Sequence, residues 1–349
     1  MKNIVSKLFI FVLAILVLFS AAGCGATATV TPVASSSDSE STTAPAVASE
    51  IPAEQAGVMP QRGGPGGSTT FASVAPTYQD LAYATLSSAQ KLDLYLPATG
   101  SGPLPLVIMV HGGGFMFGDK ADGGGLTGVD ALLAAGYAVA SINYRLSGEA
   151  QYPAQIHDAK AAVRFLRANA AKYNLDSDKF GAWGASAGGN LVSLLGTTCG
   201  VAELEGAELG NAEQSSCVQA VVDWFGPIDF LKMQEQLTAA GCSASTDEAS
   251  SPESKLVGAP IQTVPEKVAL TNPMNYITSD DAPFFIENGT ADCNIPPVQN
   301  KNLAEALSAV IGADKVTYIS LEGAGHGGGQ FETDENLGQV IAFLDKYLK

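Results

Sequence analysis

The chain has 349 residues, of which 18 are Lys or Arg and 35 are Asp or Glu, for a formal net charge of −17. An acidic balance of this size argues against nucleic acid and anionic lipid as partners, since both present dense negative charge. It leaves neutral small molecules and neutral polymers open.

In chain order, the first segment is a targeting sequence and not part of the fold. Lys2 and Lys7 provide a positive start and residues 8–19 are unbroken apolar sequence. That run is shorter than the roughly 20 residues a transmembrane helix needs, so it reads as the apolar region of a secretory signal. Ala21, Ala22 and Gly23 directly before Cys24 resemble a bacterial lipobox, although lipoboxes usually carry Leu where Ala21 stands. The resemblance implies removal of residues up to the cysteine and lipidation of Cys24. The alternative is ordinary signal cleavage with Cys24 a bystander. Residues 25–75 are Ser, Thr, Ala, Pro and Gly, with too few apolar side chains to offset ordering entropy, and predict a disordered tether.

The body that follows, residues 76–349, is long for one domain but acceptable for a single α/β unit. Short apolar runs without alternation at 105–110, 138–144, 180–183, 218–225, 282–287 and 315–321 suit strands buried on both faces. Between them lie helical patterns. Ile156, Ala159, Val163, Leu166, Ala170 and Tyr173 share one helical face, and further helices are expected at 190–195, 298–309 and 337–347. Strands alternating with helices predict a doubly wound, mostly parallel α/β sheet, with functional groups in loops at the carboxyl ends of the strands.

Four cysteines lie in the body: Cys199, Cys217, Cys242 and Cys293. In an exported chain an even count favours pairing. Proximity suggests Cys199 with Cys217 and Cys242 with Cys293; free buried cysteines are the alternative. No CxxC or HExxH pattern occurs, so no metal is expected.

The chemistry concentrates in three glycine-rich loops. FGAWGASAGGN places Ser186 at the centre of G-x-S-x-G between a strand and a helix, where Gly184 and Gly188 let a sharp turn form without side-chain collisions. IMVHGGGF ends the first core strand. Its glycines allow close backbone approach to an oxyanion. The HGGG run resembles the oxyanion loop of lipases and esterases, and that resemblance implies the N–H groups of Gly113 and Gly114, with that of Ala187, as its receivers. His111 is read as bracing this loop. Only three histidines occur, and His326 stands among five glycines in EGAGHGGGQFET, just past the last strand, where a general base would be needed. The third member of such a set is a carboxylate. Asp292, in the loop after the strand at 282–287, is the first candidate, and Asp229, Asp280 and Asp281 compete. His157 is read as a packing or surface residue of its helix. Gly323, Gly325 and Gly328 satisfy G-x-G-x-x-G, but too little chain follows for a dinucleotide-binding unit.

With these residues in hand, the body resembles the α/β-hydrolase superfamily, and within it the hormone-sensitive-lipase-like and bacterial feruloyl/acetyl-xylan esterase (BD-FAE) branch. LDLYLP, IMVHGGGF, INYRL, YPAQIHDAKAAVRFLRANAAKYNLD, GASAGGNL, VVDWFGPIDF, NGTADCNIP and GAGHGGG carry the resemblance. It implies serine-dependent ester hydrolysis without metal or organic cofactor, in the order Ser186, Asp292, His326, and does not fix the ester. Residues 231–280 exceed a simple connection. They are expected to wall an acyl pocket over Trp224 and Phe225, with a surface excursion as the plainer alternative. The substrate expected is a feruloyl or acetyl ester of plant polysaccharide. A general short-chain carboxylesterase, a prolyl-type peptidase and a silent binding protein are the rivals.

Overall fold

The computed structural model describes residues 72–100, 102–122 and 126–349. The leader, Cys24 and the tether up to residue 71 lie outside the described residues. The apolar runs become strands of one eight-stranded sheet, ordered β1-β2-β4-β3-β5-β6-β7-β8. The strands are β1 (Tyr78–Ala82), β2 (Lys91–Tyr95), β3 (Leu104–Val110), β4 (Ala138–Ile142), β5 (Leu175–Ala185), β6 (Ala220–Trp224), β7 (Phe284–Gly289) and β8 (Val316–Leu321). From β4 to β8 all neighbours are parallel, while β1 and β2 join antiparallel at one edge. The expected α/β architecture is therefore present, and all described residues fall within one compact unit.

Pleating explains why these strands read as unbroken apolar runs. In β3, Leu106, Ile108 and Val110 enter one core, whereas Val107 and Met109 enter the other. Each face is then covered by helices. On the first lie α2 (Ala154–Ala168), α3 (Ala187–Thr197) and α6 (Val298–Ile311), through Ile156, Leu191 and Leu303. On the second lie α1 (Val129–Ala134) and α7 (Asp334–Leu348), through Leu132, Val340 and Leu344.

Two elements depart from the sequence expectation. The helical face from Ile156 to Tyr173 is not continuous: α2 ends at Ala168, and a separate turn, Ala170–Tyr173, follows. Asn169 intervenes, its side-chain amide donating to the Phe165 carbonyl at 2.8 Å, the local competition with backbone bonding that Asn offers at helix ends. Secondly, residues 231–280 hold two more helices used below, α4 (Phe230–Ala239) and α5 (Pro252–Val257). Both disulfides join the pairs that proximity suggested, Cys199–Cys217 and Cys242–Cys293.

Candidate active site

Ser186 occupies the turn between β5 and α3 with φ 56° and ψ −123°, a conformation L-residues rarely adopt. The sequence makes this turn possible. A Cβ on Gly184 would stand 2.3 Å from the Gly188 carbonyl oxygen, and one on Gly188 would stand 2.0 Å from that of Val110. The Ser186 N–H donates to the Trp224 carbonyl at 2.9 Å, which ties the turn to the neighbouring strand β6.

The loops after β7 and β8 bring the other two side chains to it. Thr290 and Ala291 donate their N–H groups to Leu321 and Ala324, at 2.9 and 2.8 Å, so the two loops form one body. His326 then bridges. Its Nδ1 lies 2.7 Å from Asp292 Oδ2 and its Nε2 lies 2.9 Å from Ser186 Oγ. A carboxylate accepts only, so Nδ1 carries the proton and Nε2 turns its lone pair to the serine hydroxyl. Asp292 is held in turn by the N–H groups of Asn294 and Ile295, both donating to Oδ1 at 2.8 and 3.0 Å. Its side chain has no exposed surface.

The competing carboxylates are occupied elsewhere. Asp229 stands at the N-cap position of α4, Asp280 accepts from the Ser279 hydroxyl, and Asp281 accepts from the N–H and hydroxyl of Thr278. His157, half-buried on α2, lies 3.1 Å from the Glu203 carbonyl through Nε2.

The HGGG loop follows β3. Gly113 has φ 104°, and a Cβ there would meet the Phe117 carbonyl oxygen at 2.2 Å. His111 is buried, donates from Nδ1 to the Gly112 carbonyl at 2.8 Å, and stacks on Tyr144 with centroids 4.4 Å apart. Tyr144 in turn donates its hydroxyl to the His111 carbonyl at 3.0 Å. Burial lowers the His111 pKa, so the ring braces the loop uncharged. Ala187 opens α3, where N–H groups have no partner within the helix.

Gly113, Gly114, Ser186, Ala187 and His326 all line a cavity of about 1060 Å³. Trp224 and Phe225 line it too, as does the long insertion, through Leu237, Ser243–Thr246 and Ser251–Glu253. The Cys242–Cys293 bond fastens that insertion directly beside Asp292. Phe331, not singled out in the sequence, packs against both Trp224 and Phe225, at 5.4 and 4.8 Å between centroids. Its place in a loop without apolar periodicity hid it. Behind this cluster, burial raises the pKa of Glu287 to about 7, although Asn336 donates to its Oε2 at 3.0 Å. Among the described residues no cluster of His, Cys, Asp or Glu could hold a metal ion.

A strand-turn-helix serine with an imidazole at hydrogen-bond distance, on a mostly parallel sheet, defines an α/β hydrolase with a serine nucleophile. Comparison with known proteins narrows this. The chain belongs to the BD-FAE family, whose model matches residues 92–307. It is similar to a truncated carbohydrate esterase from gut microbiota, with 36% identity and a TM-score of 0.70 over 77% of this chain and 95% of that one. It is also similar to a bifunctional GH43-CE protein of Bacteroides eggerthii, with 37% identity and a TM-score of 0.69 over 77% of this chain and 38% of the other. Esterase LipC of Mycobacterium tuberculosis is 33% identical over 225 residues, 64% of this chain and 53% of LipC. The chain spans about half the length of the curated relatives it matches.

Proposed function

We propose that this chain hydrolyses carboxylic esters through an acyl-enzyme on Ser186, and that its substrates are feruloyl or acetyl esters of plant polysaccharide. The observation that carries the chemistry is the unbroken relay Asp292–His326–Ser186, with contacts of 2.7 and 2.9 Å. In this reading Ser186 Oγ attacks the ester carbonyl while His326 Nε2 takes its proton. The tetrahedral oxyanion is received by the N–H groups of Gly113, Gly114 and Ala187. Collapse expels the alcohol, to which His326 returns the proton, and water then repeats the sequence to release the acid. Asp292 fixes the imidazole tautomer and stabilises the imidazolium.

The polysaccharide substrate is supported by the two carbohydrate-esterase neighbours named above and by a cavity much larger than an acetyl group needs. LipC, an esterase with no carbohydrate in its name, favours a second reading, a general short-chain carboxylesterase. We further propose export and anchoring through a lipid on Cys24; replacement of Cys24 by alanine would then release the protein from the membrane fraction. The substrate reading is tested with methyl ferulate and acetylated xylan, using Ser186→Ala as the blank. Serine-dependent release of ferulate or acetate is expected. Cleavage of p-nitrophenyl acetate with neither polymer-type ester touched would move the assignment to the second reading.

A further inference from the structure

Glu253 is a carboxyl that the chemistry above does not use, yet it lines the same cavity as Ser186. It is the second residue of α5, whose first turn is fixed by the Ser251 side chain accepting from the Ser254 N–H at 3.0 Å. The residue is 5% exposed, and its Oε2 is buried with no hydrogen-bond partner. The Ser251 hydroxyl and the residue's own amide face the carboxyl, but burial outweighs them and raises its pKa, with Asp247 acting in the same direction. No lysine or arginine stands among the described residues lining the cavity. A buried acceptor left without a donor is costly, and one that lines a cavity beside the reacting serine calls for an explanation.

Its position is close to the reacting centre. A Cβ built on Gly114 would lie 3.2 Å from the Cβ of Pro252, so α5 abuts the loop assigned to the oxyanion, one residue from Glu253. The insertion brings further hydroxyl groups to the same cavity, those of Ser243, Ser245 and Thr246. An aliphatic ester would leave all of these without a ligand partner. A substrate hydroxyl would supply the missing donor.

We infer that Glu253 is a specificity-determining residue, whose carboxyl accepts a hydrogen bond from a hydroxyl group of the bound ester. This deepens the esterase reading and rests on it. Two substrate sources carry that chemistry, the sugar hydroxyls of the alcohol part and the phenolic hydroxyl of a hydroxycinnamoyl group. A site built around a hydrogen bond discriminates strongly against an analogue lacking it, because the protein group is then left unpaired.

The test measures kcat/KM of the full chain on two matched pairs. Methyl p-coumarate and methyl cinnamate differ by one phenolic hydroxyl, and a monoacetylated methyl xyloside and cyclohexyl acetate differ by the sugar hydroxyls. The wild type is expected to favour the hydroxyl-bearing member of one pair by about 10-fold or more, and that pair identifies the source. Glu253→Leu is expected to reduce this preference by about 10-fold, the effect of one hydrogen bond. The isosteric Glu253→Gln keeps an acceptor and the fold, and its preference should fall between the two. Preferences within twofold of unity in both wild-type pairs would overturn the inference, as would a wild-type preference retained in Glu253→Gln and Glu253→Leu. A wild type that cleaves no ester at all is a different result, and removes the esterase reading itself.

Discussion

Phe225 sets its ring edge-on against the imidazole of His326, with centroids 4.7 Å apart. It does so from a backbone held at φ 43°, its N–H donating to the Glu287 carbonyl at 2.7 Å. The strand bearing Ser186 thus neighbours the strand whose end fixes the side of the histidine that faces neither Asp292 nor Ser186. Aromatic pairs of this kind are worth about 0.5–1.5 kcal/mol beyond their buried area. Phe225→Leu, which keeps a smaller apolar side chain and loses the ring edge, should therefore lower kcat by about 2- to 10-fold. Steady-state kinetics on p-nitrophenyl acetate check this, and an unchanged kcat would mean that the contact does not position the imidazole.

The serine turn allows a sharper test of local geometry. Gly188→Ala drives a Cβ to within 2.0 Å of the Val110 carbonyl oxygen, a backbone atom with nowhere to go. A cost of about 4 kcal/mol or more is expected, with loss of activity. Gly338, exposed within α7, has open space around its added Cβ. Gly338→Ala should instead stabilise by about 0.5–1 kcal/mol through a less flexible unfolded chain and better helix propensity. Thermal unfolding of the two variants should move in opposite directions.

The disulfides separate stability from function. Loops of 18 and 51 residues correspond to about 3 and 4 kcal/mol in the chain-entropy estimate. Replacing Cys199 and Cys217 by serine should lower the melting temperature and leave kcat/KM near that of the wild type. Replacing Cys242 and Cys293 should do more, because Cys293 adjoins Asp292 and Cys242 anchors a wall of the cavity. Both the melting temperature and kcat/KM should fall in that variant.

Glu287 predicts a pH dependence of stability. Its folded pKa, raised by burial to about 7, exceeds the ordinary value of 4.5. Between these values the folded state holds a proton that the unfolded state has lost, so stability falls as pH rises, and the full cost is present above about pH 7. The difference amounts to about 3 kcal/mol at most. Glu287→Gln keeps an acceptor for Asn336 and removes the titration. Its melting temperature relative to wild type should rise from pH 5 to pH 8, and a constant offset would contradict the account.

Much of this was legible in the sequence because the three glycine-rich loops have no other reason to look as they do. G-x-S-x-G around Ser186 and HGGG after β3 report a backbone path too tight for side chains, whereas the glycines around His326 report positive φ at Gly323, Gly327 and Gly328. The parallel strands were readable for a related reason, since burial on both faces leaves unbroken apolar runs. What escaped lay where no such constraint writes itself into a short pattern. Strand β1 is mostly exposed along its length, and β2 mixes charged with apolar residues, so neither forms an apolar run. Phe331 reaches Trp224 from a loop, and Glu253 reaches the cavity only because the insertion folds back over it and is fastened by Cys242–Cys293. Those contacts depend on long-range packing that residue spacing does not encode.

The most direct test of the central claim is labelling with a fluorophosphonate, followed by peptide mapping of the adduct. Covalent phosphonylation of Ser186 alone is expected, absent in Ser186→Ala and slowed by about 10³-fold or more in His326→Ala, in line with triad deletions in serine hydrolases. A label on another residue, or labelling of Ser186 that is indifferent to loss of His326, would contradict the relay from Asp292 through His326 to Ser186.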